Sequence, residues 1–246
     1  MILDADLTHD AFLGGLVHIW QPKKGYRAGT DPVMLAASVP AQSGQSVLEL
    51  GCGAGTAALC LHTRVAGLRL VGVEVQSLYA TLAARNAAGT SADMRVITSD
   101  LRDLPADLRQ ERFDHVIMNP PYFDRAKGDA SADQGRDLAL GGDTPLADWL
   151  GVGIRRVGPK GYLTVIQKID RLPDVMAAIR GRLGSFVLRP IASTPTSAAN
   201  LFLLRARQEG HAPMRICPPL IMHDGNRYTP EVEAILRNAA ELSMDH

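Results

Sequence analysis

The chain has 246 residues, of which 46% are hydrophobic and 21% are charged, as is typical of a globular protein with one large α/β domain or one domain with short additions. No stretch approaches the roughly 20 apolar residues that a membrane span requires, and the acidic N-terminus predicts no signal peptide. Cys52, Cys60 and Cys217 have no neighbouring His/Cys cluster, so neither a metal site nor a disulfide framework is indicated. We expect a reduced, cytoplasmic setting and no membrane partner.

The net charge is zero, but basic residues concentrate in one block of the chain. Residues 150–215 carry 11 Lys/Arg against 3 Asp/Glu, whereas residues 1–149 carry 13 against 18 and residues 216–246 carry 2 against 5. A basic surface in this block could follow a phosphate backbone. Ordinary solvated helix faces are the alternative, so the charge alone supports a nucleic-acid partner only weakly.

Residues 1–45 are predicted to form an N-terminal extension that covers the cofactor site. It ends in a helix over 32–39, with Asp31 as the N-cap and Pro32 at the first position. From residue 46 onward, apolar runs alternate with helical segments. Strands are predicted over 46–50, 68–73, 94–98, 115–118, 162–166, 186–191 and 200–206. Helices are predicted over 56–65, 78–88, 149–157, 172–182 and 230–242.

This alternation predicts one α/β domain over residues 46–246. Its sheet should have seven strands, be mostly parallel and carry helices on both faces. The last two strands lack a helix between them, so we expect them to form an antiparallel hairpin. The irregular segment Phe123–Pro145 is expected to be a substrate-side lid, with a disordered loop as the alternative.

A glycine-rich turn follows the first strand of this domain, in VLELGCGAGTAALCL. Gly51, Gly53 and Gly55 allow a tight turn and a close approach of the backbone to a ligand. Glu49 lies just before them, where its carboxylate could face a cationic amino group. The corresponding turn of a dehydrogenase must instead accommodate the negatively charged pyrophosphate of its cofactor. The G-x-G-x-G spacing also differs from the G-x-G-x-x-G of dinucleotide-binding proteins. A tight turn without any ligand is the alternative.

Two further acids lie at the ends of the next two strands. Glu74 ends the second strand, where its two oxygens can accept both hydroxyls of a ribose. Asp100 follows the third strand, where it can accept from the amine of an adenine or simply cap a helix. Because ammonium, ribose and adenine are parts of S-adenosylmethionine, we predict this cofactor, bound by Glu49, Glu74, Asp100 and the glycines.

The tetrapeptide Asn119-Pro120-Pro121-Tyr122 follows the fourth strand. The prolines fix φ and lack N–H groups, so the Pro120 carbonyl and the Asn119 side-chain oxygen can accept both hydrogens of a planar amino group. Tyr122 offers a flat face on which a base or an amide can stack. Accepting both hydrogens favours pyramidalisation of the nitrogen and directs its lone pair towards an electrophilic methyl group. Asn119, Pro120 and Tyr122 are thus the predicted catalytic residues, with a plain Pro-rich turn as the alternative.

The chain resembles the class I, Rossmann-like amino-methyltransferases in four motifs, ELGCGAG, GVEV, SDLRDL and NPPY. It is more narrowly similar to the bacterial tRNA(Val) (adenine-N6) methyltransferase family, in GYRAGTDPVMLAASV and in PPLIMHDGNRYTPEVEAIL. This resemblance covers residues 25–236 and implies tRNA as the partner. It also implies that Thr30 and Asp31 belong to a segment that folds over the cofactor site, and that Leu101 and Asn119 contribute to that site.

The expected reaction is methyl transfer to the N6 of an adenine in RNA, with tRNA as the first choice. Protein glutamine-N5 methyltransferases of the release-factor type use the same tetrapeptide, but they usually carry a helical substrate-binding domain before the core. Only about 45 residues precede Ser46 here, which favours RNA over that alternative. A guanine-N2 rRNA methyltransferase, a small-molecule N-methyltransferase or a cofactor-binding protein without turnover also fits the motifs.

Overall fold

The computed structural model describes residues 4–122 and 144–244. Its strands are β1 (Leu7–Phe12), β2 (Val17–Pro22), β3 (Ser46–Leu50), β4 (Arg69–Glu74), β5 (Met94–Thr98), β6 (Phe113–Met118), β7 (Val157–Lys168), β8 (Gly184–Ala192), β9 (Ala199–Arg207), β10 (Arg215–Ile216), β11 (Leu220–Ile221), β12 (His223–Asp224) and β13 (Arg227–Tyr228). Its α-helices are α1 (Asp31–Ala37), α2 (Thr56–Arg64), α3 (Ser77–Thr90), α4 (Ala106–Gln110), α5 (Leu146–Arg156), α6 (Leu172–Ile179) and α7 (Pro230–Asn238). Short 3₁₀ helices lie at Asp4–Asp6, Leu13–Gly15, Leu101–Asp103 and Ile169–Arg171.

The central sheet has nine strands among the described residues, in the order β10-β8-β9-β7-β6-β3-β4-β5, with β11 also paired to β8. Neighbouring strands from β7 to β5 are parallel, whereas β9 runs antiparallel to both β7 and β8. The prediction of a mostly parallel sheet with an antiparallel C-terminal hairpin is therefore confirmed. The count of seven strands omitted β10 and β11, because two-residue strands are too short to show a period of two.

Two hydrophobic clusters cover the two faces of the sheet, because side chains alternate along each strand. In β6, Ile117 belongs to one cluster, whereas Val116 and Met118 belong to the other. Residues of α1, α2, α3 and α7 complete the first cluster, and residues of α4, α5 and α6 complete the second. Helices therefore lie on both faces, as predicted. Among the described residues, no helix combines the length and the apolar character needed to cross a membrane.

The start of α1 differs by one residue from the prediction. Thr30 occupies the N-cap position, and Asp31 is the first helical residue, directly before Pro32. An N-cap side chain normally accepts from a backbone N–H of the first turn. The prediction of Asp31 as the N-cap was wrong because its carboxylate instead accepts a hydrogen bond from Tyr122, outside the helix.

The strands β1 and β2 form an antiparallel hairpin that was not among the predicted elements. The hairpin is fixed to α3, since the Trp20 N–H donates to Asn86 Oδ1 at 2.8 Å and Asn86 Nδ2 donates to the Trp20 carbonyl at 3.1 Å. The described part of the N-terminal extension therefore packs on the α/β domain, while its boundary at residue 45 stays a prediction. Of the predicted lid Phe123–Pro145, residues 123–143 lie outside the described residues.

Candidate active site

A cavity of about 340 Å³ lies at the carboxyl ends of β3, β4 and β6. From β3 the strand order runs to β4 and β5 on one side and to β6 and β7 on the other. Parallel α/β sheets bind ligands at such a reversal, because the loops on its two sides diverge and leave a crevice. The N-terminal segment also lines the cavity, through Gln21, Tyr26, Ala28 and Asp31.

Most of the predicted site residues line this cavity. They are Asp31, Glu49, Gly51, Gly53, Glu74, Asp100, Leu101, Asn119, Pro120 and Tyr122. Thr30 and Gly55 are not part of the cavity wall. Each lies at the start of a helix, Thr30 as the N-cap of α1 and Gly55 as the N-cap of α2. Their assignment to the cofactor site stays a prediction.

The glycine turn is shaped by a tryptophan from a distant part of the chain. Gly51 has a φ of 67°, in the left-handed region that L side chains rarely adopt. A Cβ atom at this position would lie 2.4 Å from Cη2 and 2.7 Å from Cζ3 of Trp149. Trp149 is buried in α5 and also lines the cavity. The indole thus packs directly on the backbone of the turn, and only glycine fits beneath it.

We expect Gly51→Ala to lower the free energy of unfolding by about 2–4 kcal/mol, from left-handed strain and overpacking against Trp149. Urea unfolding followed by circular dichroism measures this change. Gly89→Ala is the matched control, because Gly89 lies in α3 with open space at its Cβ position and no positive φ. The control should be neutral or stabilising by up to about 1 kcal/mol. Equal stabilities for Gly51→Ala and the wild type would contradict the packing of Trp149 on the turn.

Glu49 is a carboxylate buried at the base of the cavity. Its Oε2 accepts a hydrogen bond from the Ala58 N–H, in the first turn of α2, at 2.9 Å. Burial raises the pKa of Glu49 to about 8, although the Ala58 hydrogen bond opposes the shift. The Glu49 carboxyl therefore binds a proton at neutral pH unless a cationic ligand replaces that proton.

Glu74 holds the glycine turn and the start of α3 together. Its Oε2 accepts from the Gly53 N–H at 2.9 Å, and its Oε1 accepts from the Gln76 N–H at 2.9 Å. Burial raises the pKa of Glu74. Because each carboxylate oxygen has two lone pairs, both oxygens can still accept from a ligand that enters the cavity.

Asp100 caps a 3₁₀ helix and lines the cavity at the same time. Its Oδ1 accepts from the Arg102 N–H at 2.8 Å, and its Oδ2 lies 2.7 Å from the Arg102 guanidinium. Hydrogen bonding to the Arg102 side chain holds the pKa of Asp100 below its usual value. Asp100 therefore caps a helix, as one interpretation of the sequence expected. It also lies in the cavity wall, where the other interpretation places the adenine of the cofactor.

Asn119 provides a buried acceptor for which the described part of the chain supplies no partner. Its Oδ1 is shielded from solvent and has no hydrogen-bond partner among residues 4–122 and 144–244. An unpaired buried carbonyl costs about 1–3 kcal/mol, so such an atom in a cavity wall points to a ligand that donates a hydrogen bond. The next carbonyl along the chain, that of Pro120, accepts from Gln167 Nε2 at 3.2 Å and keeps a second lone pair. Two acceptors suited to a planar NH₂ group are therefore adjacent in the chain at the cavity.

Tyr122 joins the tetrapeptide to the N-terminal segment. Its hydroxyl donates to Asp31 Oδ2 at 2.5 Å. Burial and the Asp31 carboxylate raise the pKa of Tyr122, so the hydroxyl keeps its proton and remains a donor. Lys168 Nζ lies 5.9 Å from the centroid of the Tyr122 ring. The ring is thus held by contacts at its hydroxyl and beside its face.

The cavity also involves residues that the sequence did not indicate. Tyr26, Thr56 and Trp149 lie in its wall, and Gln167 contacts the tetrapeptide from β7. Thr56 Oγ1 and Trp149 Nε1 are buried without partners in the described ranges. Thr56 directly follows Gly55, and Tyr26 lies in the segment GYRAGTDPVMLAASV. No spacing connects Trp149 or Gln167 with the motifs, so only the folded chain brings these two residues to the site.

Comparisons with known proteins agree with this geometry. A family model described as methyltransferase small domain matches residues 28–135. A tRNA1(Val) (adenine(37)-N6)-methyltransferase of Porphyromonas gingivalis is 31% identical over 222 residues, which cover 83% of this chain and 85% of that relative. A protein of the same name from Dickeya chrysanthemi is 29% identical over 223 residues, 86% of this chain and 87% of its own length. The crystal structure of an Agrobacterium tumefaciens protein described as a predicted O-methyltransferase has a TM-score of 0.73 at 24% identity, covering 88% of this chain and 100% of that one.

The strand order and the cavity at the reversal of the sheet are those of the class I methyltransferase fold, and the family model and the sequence relatives identify the chain as an S-adenosylmethionine-dependent methyltransferase. The similarity to the Agrobacterium tumefaciens structure supports the fold alone. The sequence relatives are more specific, since the matches at about 30% identity cover most of both chains. The chain therefore belongs to the tRNA1(Val) (adenine(37)-N6)-methyltransferase family, which confirms the family that its motifs indicated.

Proposed function

We propose that the protein transfers a methyl group from S-adenosylmethionine to the exocyclic N6 of an adenine in tRNA. The observation that carries this proposal is that Asn119 Oδ1 lies in the cavity wall without a hydrogen-bond partner among the described residues, while the next residue, Pro120, offers a second carbonyl there. The names of the relatives, which specify adenine 37 of tRNA1(Val), supply the substrate class.

The residues of the cavity wall fit the proposed cofactor. A volume of about 340 Å³ is in the range of roughly 300–1,000 Å³ that small-molecule sites occupy. In the proposal, Glu49 faces the ammonium group, Glu74 accepts from the ribose hydroxyls, and Asp100 with Leu101 contacts the adenine. When bound, S-adenosylmethionine supplies an electrophilic methyl group on a sulfonium.

In the proposed reaction, the tetrapeptide positions the target amino group. Asn119 Oδ1 and the Pro120 carbonyl accept its two hydrogens, so the nitrogen becomes pyramidal and its lone pair is directed away from the ring. Tyr122 stacks on the target base, with its ring held by the bond to Asp31. Because the nitrogen loses its proton after the bond to carbon forms, the site needs no strong base, and catalysis comes from orientation and electrostatics.

The proposed substrate must present an unstacked adenine, since a stacked base cannot enter the cavity. Not every basic residue of the 150–215 block can contact RNA. Arg156, Arg189 and Arg205 are buried, and Arg156 donates to the Leu108 carbonyl while Arg189 pairs with Glu231. The exposed members of the block are Arg155, Lys160, Arg180, Arg182 and Arg215. With tRNA as the substrate, the proposal implies a cytoplasmic enzyme.

Glu49 predicts a pH dependence of cofactor affinity. Because its pKa is about 8 without a ligand, a cationic ligand must displace a proton from it at lower pH. We expect the affinity to rise by up to about tenfold per pH unit between about pH 5.5 and 7.5, a range in which an α-amino group is mostly charged. The same shift should make the ligand-free protein less stable as the pH rises from about 4.5 through 8, since the unfolded chain ionises Glu49 at the lower value.

Calorimetric titration with S-adenosylmethionine at several pH values, in buffers of different ionisation enthalpy, measures both the affinity and the proton release. Glu49→Gln, a neutral side chain of the same size, should bind the cofactor more weakly at about pH 7.5 and give a nearly flat profile. A wild-type affinity that does not change across this range would contradict the role of Glu49 opposite the ammonium group.

The substrate is tested with radiolabelled S-adenosylmethionine and three separate acceptors. These are a tRNA(Val) transcript with adenine at position 37, the same transcript with guanine there, and a release factor. The proposal expects label in the first transcript alone, recovered as N6-methyladenosine after digestion to nucleosides. Label in the release factor would contradict the proposal and indicate glutamine methylation. Equal label in both transcripts would show that the enzyme methylates an adenine other than the one at position 37.

A further inference from the structure

Gln167 is a buried polar residue beside the catalytic tetrapeptide. It has 0% exposure and is the last residue but one of β7. β6, which leads into the tetrapeptide, pairs in parallel with β7, and the last pair in this register is Met118 with Val165. Continuing the register by two residues brings Pro120 level with Gln167. The ladder cannot continue there, since prolines have no N–H to donate.

The side chain of Gln167 supplies contacts where the backbone ladder stops. Its Nε2 donates to the Pro120 carbonyl at 3.2 Å and to the Pro121 carbonyl at 3.4 Å, while its Oε1 accepts from the Lys168 N–H at 2.8 Å. These partners fix the orientation of the amide. A rotated amide would place Oε1 against two carbonyl oxygens and Nε2 against an N–H group, which are repulsive pairs.

We infer that Gln167 is a positioning residue that holds the Pro120 carbonyl in the orientation in which it accepts a hydrogen of the target amino group. This inference rests on the proposed function. A carbonyl oxygen has two lone pairs, so the contact with Gln167 leaves one for the substrate. Gln167 itself does not line the cavity, and it acts on the reaction only through the peptide group that it orients.

Loss of the amide should affect the reaction step more than binding. Without Gln167, the Pro120 peptide group can rotate, and the second acceptor of the amino group is misplaced. Since a displacement of about 1 Å at a reacting group can cost about 100-fold in rate, we expect the single-turnover rate of methyl transfer to fall by about 10- to 100-fold. The Kd of the cofactor and the KM for tRNA should stay within about twofold, since Gln167 contacts neither ligand in this scheme.

The test uses Gln167→Met, which keeps the length of the side chain but removes the amide, and Gln167→Asn, which keeps the amide but shortens its reach by one methylene. Thr164→Val is the matched control. Thr164 lies in the same strand, is also fully buried, and its Oγ1 has no hydrogen-bond partner in the described part of the chain. The thermal midpoint of each variant is measured first, and the kinetics are run well below the lowest one.

The inference expects both Gln167 variants to lose single-turnover rate while cofactor Kd and tRNA KM are preserved, and Thr164→Val to match the wild type. A rate within about twofold of wild type in Gln167→Met would overturn the inference. So would a parallel loss of cofactor affinity and rate, because that result assigns Gln167 a general structural role. If the wild-type protein forms no N6-methyladenosine in tRNA, the proposed function fails, and the inference fails with it.

Discussion

Asn119→Ala will reduce the rate of methyl transfer by about 10²- to 10³-fold while the affinity for S-adenosylmethionine stays within about twofold. The size of the effect follows from the loss of one aligned hydrogen-bonding group that acts on the reacting centre. The variant removes the buried Oδ1 that has no partner in the described part of the chain. Because no protein hydrogen bond of that atom is lost, the fold should tolerate the change.

Single-turnover kinetics with saturating tRNA separate this effect from binding, and calorimetry reports the cofactor affinity. Asn119→Asp should fall between alanine and the wild type, since it keeps an acceptor oxygen but adds a charge. Asn200→Ala, at an exposed position of β9, is the control and should leave both quantities unchanged. An Asn119→Ala variant that retains most of its activity would refute the assignment of Asn119 to the amino group.

Glu74→Ala will weaken cofactor binding by at least about 100-fold. In the proposed site, the variant loses two charge-assisted hydrogen bonds to the ribose hydroxyls, each of which would contribute about 1.5–3 kcal/mol. The change also removes the bonds from Glu74 to the N–H groups of Gly53 and Gln76, so the glycine turn loses its fixed position. Titration calorimetry with S-adenosylmethionine measures the loss.

Glu74→Gln separates the two parts of this effect. It keeps one acceptor oxygen and the size of the side chain, so its fold should be close to wild type and its affinity should lie between those of wild type and alanine. Asp93→Ala is the control, because Asp93 is an exposed carboxylate directly before β5, at the opposite end of the sheet. If both Glu74→Gln and Glu74→Ala bound S-adenosylmethionine as tightly as the wild type, the assignment of Glu74 to the cofactor site would be wrong.

The regular part of the fold was predictable because its signals are local. The buried strands β3, β4, β6 and β7 are apolar runs bounded by turn residues, and each is followed by a helical segment or a loop. The hairpin β1–β2 was not predicted, because its strands contain the polar residues His, Asp and Gln, and one of the alternating buried positions of β2 is Gln21 rather than an apolar residue. In β1 only Leu7 is buried, so that strand gives no apolar alternation. Its stability comes from packing on the domain, which a local pattern does not report.

The motifs were sufficient to predict the class of the enzyme and to place most of the candidate site residues around one cavity. Glu49, Glu74, Asp100 and Asn119 lie at the carboxyl ends of β3, β4, β5 and β6, and the carboxyl ends of parallel strands meet at one edge of the sheet. The order of the strands therefore gathers these residues without any knowledge of side-chain contacts. The left-handed turn at Gly51 follows from the glycines in the same local way.

The surroundings of these residues become visible only in the folded chain. Trp149 covers the glycine turn, Asp31 binds the Tyr122 hydroxyl, and Gln167 orients the two proline carbonyls. These contacts join segments that are between 46 and 98 positions apart in the chain, so no spacing or motif announces them. They depend on the packing of α1 and α5 on the sheet and on the position of β7 beside β6 within it. This arrangement places the acceptors of the motifs in the wall of one cavity.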